Sequence, residues 1–157
     1  MAVFLSQHGK SASKDVDPQR GLTPDGVAET TRVASSLVRS ELDLDVIWHS
    51  GKKRASQTAE IFAASLKPTE GVKSRDGMDP LDDVASLAGS LPRDGHELYV
   101  GHLPFMERIV SYLITGAADG RVVKFQNSGV VRLDWDLEGR RWVIGWTVFP
   151  SQLSGLQ

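Results

Sequence analysis

Ala2-Val3-Phe4-Leu5-Ser6-Gln7-His8-Gly9-Lys10-Ser11 is the segment from which the architecture of the chain is predicted. Its apolar run, Ala2–Leu5, stops abruptly at a polar loop that carries His8 and Gly9. A short buried strand followed by such a loop is typical of an open α/β sheet, where chemistry lies beyond the carboxyl ends of the strands. We therefore expect a strand here and a functional role for His8.

Gly9 has no side chain, so the backbone can turn sharply and an anion can approach the main-chain N–H donors. Taken alone, a His-Gly pair after a strand is more often an ordinary turn. The prediction therefore depends on what the later strands bring to the same edge of the sheet.

Length and composition narrow the class of protein. The 157 residues predict a single domain, 1–157, that buries roughly two-thirds of the surface of the unfolded chain. The absence of cysteine excludes disulfides, thiolate metal sites and a cysteine nucleophile. With 18 basic and 20 acidic residues, the net charge of −2 gives no electrostatic footprint for nucleic acid. No apolar run approaches the roughly 18 residues of a membrane span, so we expect a soluble cytoplasmic protein.

Helix and strand patterns alternate along the rest of the chain. Thr23, Pro24 and Asp25 form a helix start with an N-cap, a proline and an acid. The next predicted elements are a strand over Asp45–Trp48, a helix carrying Ala55 to Leu66 and a short edge strand within Glu70–Arg75. They are followed by a helix from Asp79–Asp83 that buries Leu81, Val84 and Leu91, a strand over Glu97–Val100 and a helix over Phe105–Leu113. Alternating or apolar segments over Val122–Phe125, Val130–Trp135 and Trp142–Val148 come last, and a hairpin turn joins the final two.

This order predicts an α/β fold, a three-layer α/β/α sandwich with a mostly parallel sheet and an antiparallel edge hairpin. Polar groups follow three of its strands, namely His8, the turn Ser50–Arg54 and His102, while Arg20 lies in the loop that leaves the first strand. Two imidazoles and two guanidiniums at one sheet edge predict an anion site, and phosphate best uses bidentate arginine donors. A neutral imidazole is a competent nucleophile, and the arginines with a protonated His102 supply positive charge.

Four sequence blocks carry a family resemblance. Gln7-His8-Gly9 resembles the R-H-G motif of the histidine phosphatase (phosphoglycerate-mutase-like) superfamily, and Leu22–Gly26 resembles its L-T-x-x-G helix start. The segment Ser50–Ala59 resembles its S-x-x-x-R-A-x-Q-T-A block, and Gly101–Pro104 matches its G-H-x-P motif. Because the chain is short, has Arg20 just before Leu22 and lacks the long helical insertion of the sugar-phosphate mutases, it resembles the compact SixA-type phosphohistidine phosphatases.

The resemblance implies a phosphatase that needs neither metal nor cofactor and that releases inorganic phosphate. On this basis, His8 would be the nucleophile that becomes phosphorylated, and Arg54 and His102 would join it in catalysis. The phosphoryl oxygens would be bound by Gln7, Gly9, Arg20, Arg54 and His102. The implied partner is a phosphorylated histidine-containing phosphotransfer protein or a small phosphorylated substrate.

Two departures from the family pattern bear on activity. Gln7 stands where the family has arginine, and losing one charge-assisted contact is worth roughly 1.5 to 3 kcal/mol, or about ten- to a hundredfold in rate. Lys10 is a candidate to return that charge. No residue matches the general acid of many relatives, since the nearby Asp79, Asp82 and Asp83 are better explained as helix-capping residues. The imidazole of phosphohistidine leaves easily once protonated, so the missing acid favours an N–P bond over an ester.

Other interpretations remain open from the sequence. The chain is alternatively a catalytically impaired relative that binds a phosphorylated protein or small molecule, or a small-molecule phosphomonoesterase. A metal site using His8, His49 and His102 is disfavoured because no carboxylate accompanies them. His49 is predicted to be structural, and Gln57 and Thr58 to join their helix to its neighbours.

Overall fold

The computed structural model describes residues 2–154, so Met1 and residues 155–157 of the predicted domain lie outside the described residues. In chain order, the elements are β1 (Ala2–Gln7), α1 (Pro24–Val38), β2 (Val46–His49), α2 (Lys53–Leu66), β3 (Val72–Ser74), α3 (Val84–Ser90), β4 (His96–Gly101), α4 (Phe105–Thr115), β5 (Val130–Asp136), β6 (Arg141–Val148) and a short 3-10 helix (Pro150–Leu153).

One six-stranded sheet, in the order β3-β2-β4-β1-β5-β6, forms the middle layer. Strands β1 to β4 run parallel, whereas β5 is antiparallel to β1 and forms a hairpin with β6. Strand β1 lies inside the sheet, paired on both sides, with Gln7 opposite Gly101 of β4. The carboxyl ends of β1, β2 and β4 therefore open on the same edge, as the sequence predicts.

The two faces of the sheet carry separate cores. Alternate β1 side chains point to opposite faces, so Phe4 packs with Leu37 and Phe62 on the face of α1 and α2. Leu5 packs with Ile109 on the face of α3 and α4. The predicted three-layer α/β/α sandwich is confirmed.

Helix α1 begins as its sequence predicts. The Thr23 hydroxyl accepts a hydrogen bond from the Gly26 amide at 3.0 Å, Pro24 is the first helical residue, and Asp25 lies in the first turn. This cap fixes where the loop that precedes the helix ends, and that loop carries Arg20.

Two predicted elements differ in the structure. The third helix does not begin at Asp79, because the Asp82 carboxylate accepts from the Asp79 amide at 2.8 Å and closes a turn. Asp83 is the N-cap, accepting from the Ala85 amide at 3.0 Å, and Leu81 is exposed instead of buried. The segment Val122–Phe125 alternates like a strand but forms none.

Candidate active site at the carboxyl edge of the sheet

A cavity of about 460 Å³ lies beyond the ends of β1 and β4. It brings together five residues that the sequence analysis assigns to the site, namely Gln7, His8, Arg20, Arg54 and His102. The remaining lining residues are Lys10, Ser11, Pro80, Leu103 and Asn127. Four separate loops and one helix start therefore converge on one polar cavity, and no carboxylate of residues 2–154 lies in its lining.

The backbone of His8 is held from three directions. Its amide donates to the Gly101 carbonyl at 3.0 Å, continuing the pairing of β1 with β4 past the end of the strand. Its carbonyl accepts from the Asn127 side-chain amide at 2.9 Å and from the Ser128 backbone amide at 3.3 Å. The position of His8 is thus fixed by the sheet and by the loop before β5.

The imidazole of His8 is locked in one tautomer. Its Nδ1 lies 2.7 Å from the Gly9 carbonyl oxygen, which only accepts hydrogen bonds, so Nδ1 carries the proton. Burial, together with the positive charges of Arg54 and Arg20, lowers the pKa of His8 to about 4, although the bond to Gly9 opposes the shift. At pH 7 the ring is therefore neutral, and its Nε2 keeps a free lone pair, as a nucleophile requires.

Gly9 serves the site by packing. A Cβ atom at this position would lie 2.7 Å from the Thr30 Oγ1 and 3.1 Å from the Ser128 Oγ. The Gly9 amide donates to the Thr58 hydroxyl of α2 at 2.9 Å. Thr58 accepts the hydrogen bond of this amide in the ligand-free protein, and phosphate binding at Gly9 stays a prediction. The missing side chain lets β1 approach α1 and the loop before β5.

Two guanidiniums supply the positive charge of the cavity. Arg20 has a φ of 53°, an uncommon backbone conformation for a residue other than glycine and one often found at functional sites. Arg54 lies in the first turn of α2, and its buried Nε bonds to no protein group within residues 2–154. Burial first, and then the charge of Arg20, lower the pKa of Arg54, which nevertheless stays protonated. An oxyanion between these two side chains would offset both effects.

His102, buried to 1% exposure, completes the cavity. Its ring centroid is 5.0 Å from that of His8. The Nε2 lies 2.6 Å from the Ser50 Oγ, while the buried Nδ1 bonds to no group in the described part of the chain. Burial and then the neighbouring His8 and Arg54 lower the pKa of His102 to about 3. The ring is therefore neutral at pH 7 in the ligand-free protein, and protonation of His102 against a bound phosphoryl group stays a prediction.

Gln7 and Lys10 show what replaces the arginine of the family motif. The Gln7 side chain lines the cavity, and its buried Oε1 has no hydrogen-bond partner among residues 2–154. Lys10 also reaches the lining, but its Nζ lies 3.4 Å from the Glu29 carboxylate, which shares its charge. Neither side chain reproduces the planar double donor of an arginine.

Three polar residues that are not among the predicted site residues support the site by hydrogen bonds to its backbone, namely Asn127, Gln57 and Thr58. Asn127 is a residue that the sequence reasoning missed, although an Asn-Ser-Gly turn directly before a strand was available as a signal. Gln57 and Thr58 join α2 to its neighbours as predicted, since Gln57 accepts from the Leu22 amide at 2.7 Å. His49 accepts from the Gly51 amide at 3.0 Å and does not line the cavity.

Comparison with known proteins places this geometry in a family. The sequence profile of the histidine phosphatase superfamily (branch 1) matches residues 3–82, about half of the chain and the part that contains His8, Arg20 and Arg54. The chain belongs to this superfamily. Phosphohistidine phosphatase SixA of Escherichia coli strain K12 is 26% identical over an alignment 160 residues long, which covers 98% of this chain and 96% of SixA.

Solved structures of other phosphatases share the fold. The structure of the protein histidine phosphatase SixA complexed with tungstate superposes with a TM-score of 0.86 at 24% identity, covering 98% of this chain and 100% of SixA. A phosphoserine phosphatase from Entamoeba histolytica, solved in complex with 3-phosphoglyceric acid, has a TM-score of 0.72 at 16% identity and covers 93% of this chain and 95% of that protein. These likenesses confirm the predicted histidine-phosphatase fold class.

Within residues 2–154, no group of three or more histidine or acidic residues is arranged to hold a metal ion. In the same range, no helix has the length and apolar character needed to cross a bilayer.

Proposed function

We propose that the chain is a SixA-like phosphatase that hydrolyses protein phosphohistidine through a phospho-His8 intermediate. The observation that carries this proposal is the neutral His8 ring, whose free Nε2 lies in a cavity shared with two guanidiniums. The similarity to Escherichia coli SixA supports the substrate class, and the tungstate complex of a SixA supports oxyanion binding by this fold.

In the first step, the Nε2 lone pair of His8 attacks the phosphorus of the substrate phosphohistidine. A new N–P bond forms at His8 as the substrate N–P bond breaks, and the bonding pair goes to the substrate imidazole, which takes a proton from solvent. Arg20 and Arg54 neutralise the non-bridging oxygens, and His102 donates from Nδ1 when Ser50 donates to its Nε2.

In the second step, water attacks the phosphorus of phospho-His8. The water oxygen forms the new O–P bond, the N–P bond pair returns to Nε2, and the proton lost by water goes to solvent. Together the two steps convert phosphohistidine and water into histidine and inorganic phosphate. Because the Gly9 carbonyl accepts a hydrogen bond from Nδ1–H of His8, the proton stays on Nδ1 and Nε2 is the reacting nitrogen in both steps.

The described part of the chain contributes no carboxylate to the cavity lining, which favours an N–P over an O–P substrate. An alkoxide leaving group needs a positioned acid, whereas an imidazole of ordinary basicity is readily protonated by solvent. A small-molecule phosphomonoesterase is therefore less well supported, although the shared fold of the phosphoserine phosphatase shows that fold alone does not decide between the two.

Gln7 favours a second candidate function, binding of a phosphorylated protein without useful turnover. The position faces the cavity with an unpartnered amide oxygen where the family motif places a donor with two N–H groups. An amide nitrogen still donates to an oxyanion, so binding is retained while the positive charge is lost.

The deciding experiment measures phosphate released from a phosphohistidine-containing phosphotransfer domain, with acid-labile phosphate on the protein trapped in parallel. We expect turnover by the native chain, none by His8→Ala, and labelled phosphate at position 8 only in proteins that retain this histidine. His96→Gln, at the opposite end of β4, is the matched histidine control and retains activity. Binding without phosphate release by the native chain establishes the second candidate, and turnover by His8→Ala refutes the intermediate.

A further inference from the structure

A second, larger depression adjoins the cavity and shares Arg20, Arg54 and Pro80 with it. We call it the entrance groove; its volume is about 860 Å³, and its remaining lining residues are Lys14, Pro18, Gln19, Gly51, Lys52, Lys53, Ser56, Asp79, Leu81 and Asp82. The loop before α1, the start of α2 and the turn before α3 form its walls. A phosphoryl group fits within the inner cavity alone, so the groove offers space for a much larger substrate.

The entrance groove is basic in a chain of net negative charge. Its lining holds three lysines in addition to the two catalytic-site arginines, against two aspartates, while the whole chain carries −2. Two of the lysines make only long, exposed ion pairs, Lys52 with Asp79 at 3.7 Å and Lys53 with Asp17 at 3.5 Å. Exposed pairs of this kind contribute little to stability, so both ammonium groups are available to carboxylates of a partner.

Apolar side chains stand beside these lysines. Leu81 is 89% exposed and lines the groove, and Val16 is 80% exposed on the loop that also carries Lys14. They are the two most exposed large apolar residues in the described part of the chain; the next, Leu137, is 71% exposed and lies on the distant β5–β6 turn. Single exposed apolar residues need no explanation, but Leu81 within a basic groove at the mouth of a cavity, with Val16 on a loop that contributes to that groove, matches the mixed character of a protein interface.

We propose that the entrance groove is the docking surface for the phosphorylated protein, and that it receives an acidic face with an apolar side chain at its centre. Carboxylates of the partner pair with Lys14, Lys52 and Lys53, and its apolar side chain packs on Leu81. Docking in this way presents the phosphoryl group to His8 through the opening at Arg20 and Arg54. This inference rests on the proposed function and specifies which surface of the enzyme selects its protein substrate.

The test compares two substrates, a phosphohistidine-containing phosphotransfer domain and phosphoramidate, which has an N–P bond but no protein surface. The measured quantity is the ratio of kcat/KM for the domain to kcat/KM for phosphoramidate. We expect Lys53→Glu and Leu81→Ser each to lower this ratio about five- to tenfold, mainly through a higher KM for the domain. Added salt lowers the ratio for the native chain and has a smaller effect on Lys53→Glu.

Two control variants match these changes away from the groove. Lys67→Glu reverses a charge at the other end of the same helix α2, and Leu137→Ser removes an exposed leucine from the β5–β6 turn. Both are expected to leave the ratio within twofold of the native value. An unchanged ratio in Lys53→Glu and Leu81→Ser, or an equal fall in the controls, overturns the docking surface.

A binding measurement separates failure of docking from failure of the proposed function. In a His8→Ala background, which cannot form the intermediate, the Kd for the phosphorylated domain is expected to rise about five- to tenfold with Lys53→Glu or Leu81→Ser. If the native chain releases phosphate from neither substrate, the proposed function fails, while the Kd values still decide the docking surface. Identical Kd values in all variants refute it.

Discussion

Replacing Gln7 by arginine restores the arginine of the R-H-G motif, and we expect it to raise activity. Gln7 ends β1 beside His8, and its side chain already points into the cavity, where its Oε1 is buried without a partner among residues 2–154. An arginine here adds a planar pair of N–H donors and a third positive charge to those of Arg20 and Arg54. The added positive charge is stabilising only while the negatively charged oxygens of a phosphoryl group lie against it.

The magnitude follows from exchanging a neutral donor for a charged one. A hydrogen bond to a charged group contributes about 1.5 to 3 kcal/mol against roughly 1 kcal/mol for a neutral bond. The net gain of about 0.5 to 2 kcal/mol corresponds to a rise of roughly two- to thirtyfold in kcat/KM. Gln7→Lys, which has the charge without the planar fork, should lie between the native chain and Gln7→Arg, and Gln7→Leu should fall below the native chain.

Stability should change in the opposite direction. A third guanidinium is repelled by the two already present, and the pKa of Arg54 is already lowered by burial and by Arg20. We expect Gln7→Arg to lower the free energy of unfolding by about 1 kcal/mol without an anion. Phosphate or tungstate at a hundred times its Kd adds about 2.7 kcal/mol by preferential binding to the folded state, which more than offsets this loss.

Steady-state kinetics with a phosphohistidine domain, together with urea denaturation with and without tungstate, measures both effects. The reasoning is supported if kcat/KM falls in the order Gln7→Arg, Gln7→Lys, native chain and Gln7→Leu. Without an anion, the free energy of unfolding should be lowest for Gln7→Arg, followed by Gln7→Lys and then the native chain. If Gln7→Arg folds, binds tungstate more tightly and yet hydrolyses no faster, position 7 contributes only ground-state binding, and the catalytic argument is refuted.

Three further predictions concern the histidines and their supports. Because the pKa values of His8 and His102 are about 4 and 3 in the folded protein against 6.5 unfolded, the unfolded chain binds protons first, and the stability present above pH 6.5 should fall as the pH drops toward 4. Urea titrations should show a shallower fall for His102→Asn, and an equal fall would contradict the assignment. Gly9→Ala should lower stability by about 1 to 3 kcal/mol in thermal melts because its Cβ would lie 2.7 Å from the Thr30 Oγ1, whereas Gly89→Ala, with open space in α3, should be neutral or stabilising. Ser50→Ala should shift the imidazole ¹⁵N resonances of His102 and lower kcat about tenfold by removing the partner of Nε2, and Ser50→Thr should retain native values.

Much of the site could be predicted because its residues follow strands at the same edge. The parallel arrangement of β1, β2 and β4 makes chain distance irrelevant, so His8, Arg54 and His102 converge although they are far apart in sequence. What the sequence could not provide was protonation. Whether a histidine is charged depends on burial and on neighbouring guanidiniums, and these lower the pKa of His102 to about 3.

The two misplaced elements have local physical causes. In Asp79–Asp83, several acids compete to cap one helix, and the Asp82 carboxylate closes a turn before Asp83 takes the cap. The alternating pattern of Val122–Phe125 has no strand partner, because the Phe125 amide donates to the Glu107 carboxylate at 2.9 Å instead of to a neighbouring strand. Alternation predicts which side chains are buried, and Phe125 is buried, but it does not create an available sheet edge.

The position of β1 inside the sheet also bears on how such a protein diverges. The strand that leads directly into His8 is paired on both sides, so changes there disturb the pairing of β4 and β5 as well. The loops that carry Lys14 and Leu81 belong to no strand of the sheet, and substitutions there leave it intact. Natural selection can therefore retarget the enzyme by altering a few exposed side chains at its rim while the reaction centre stays under strong constraint.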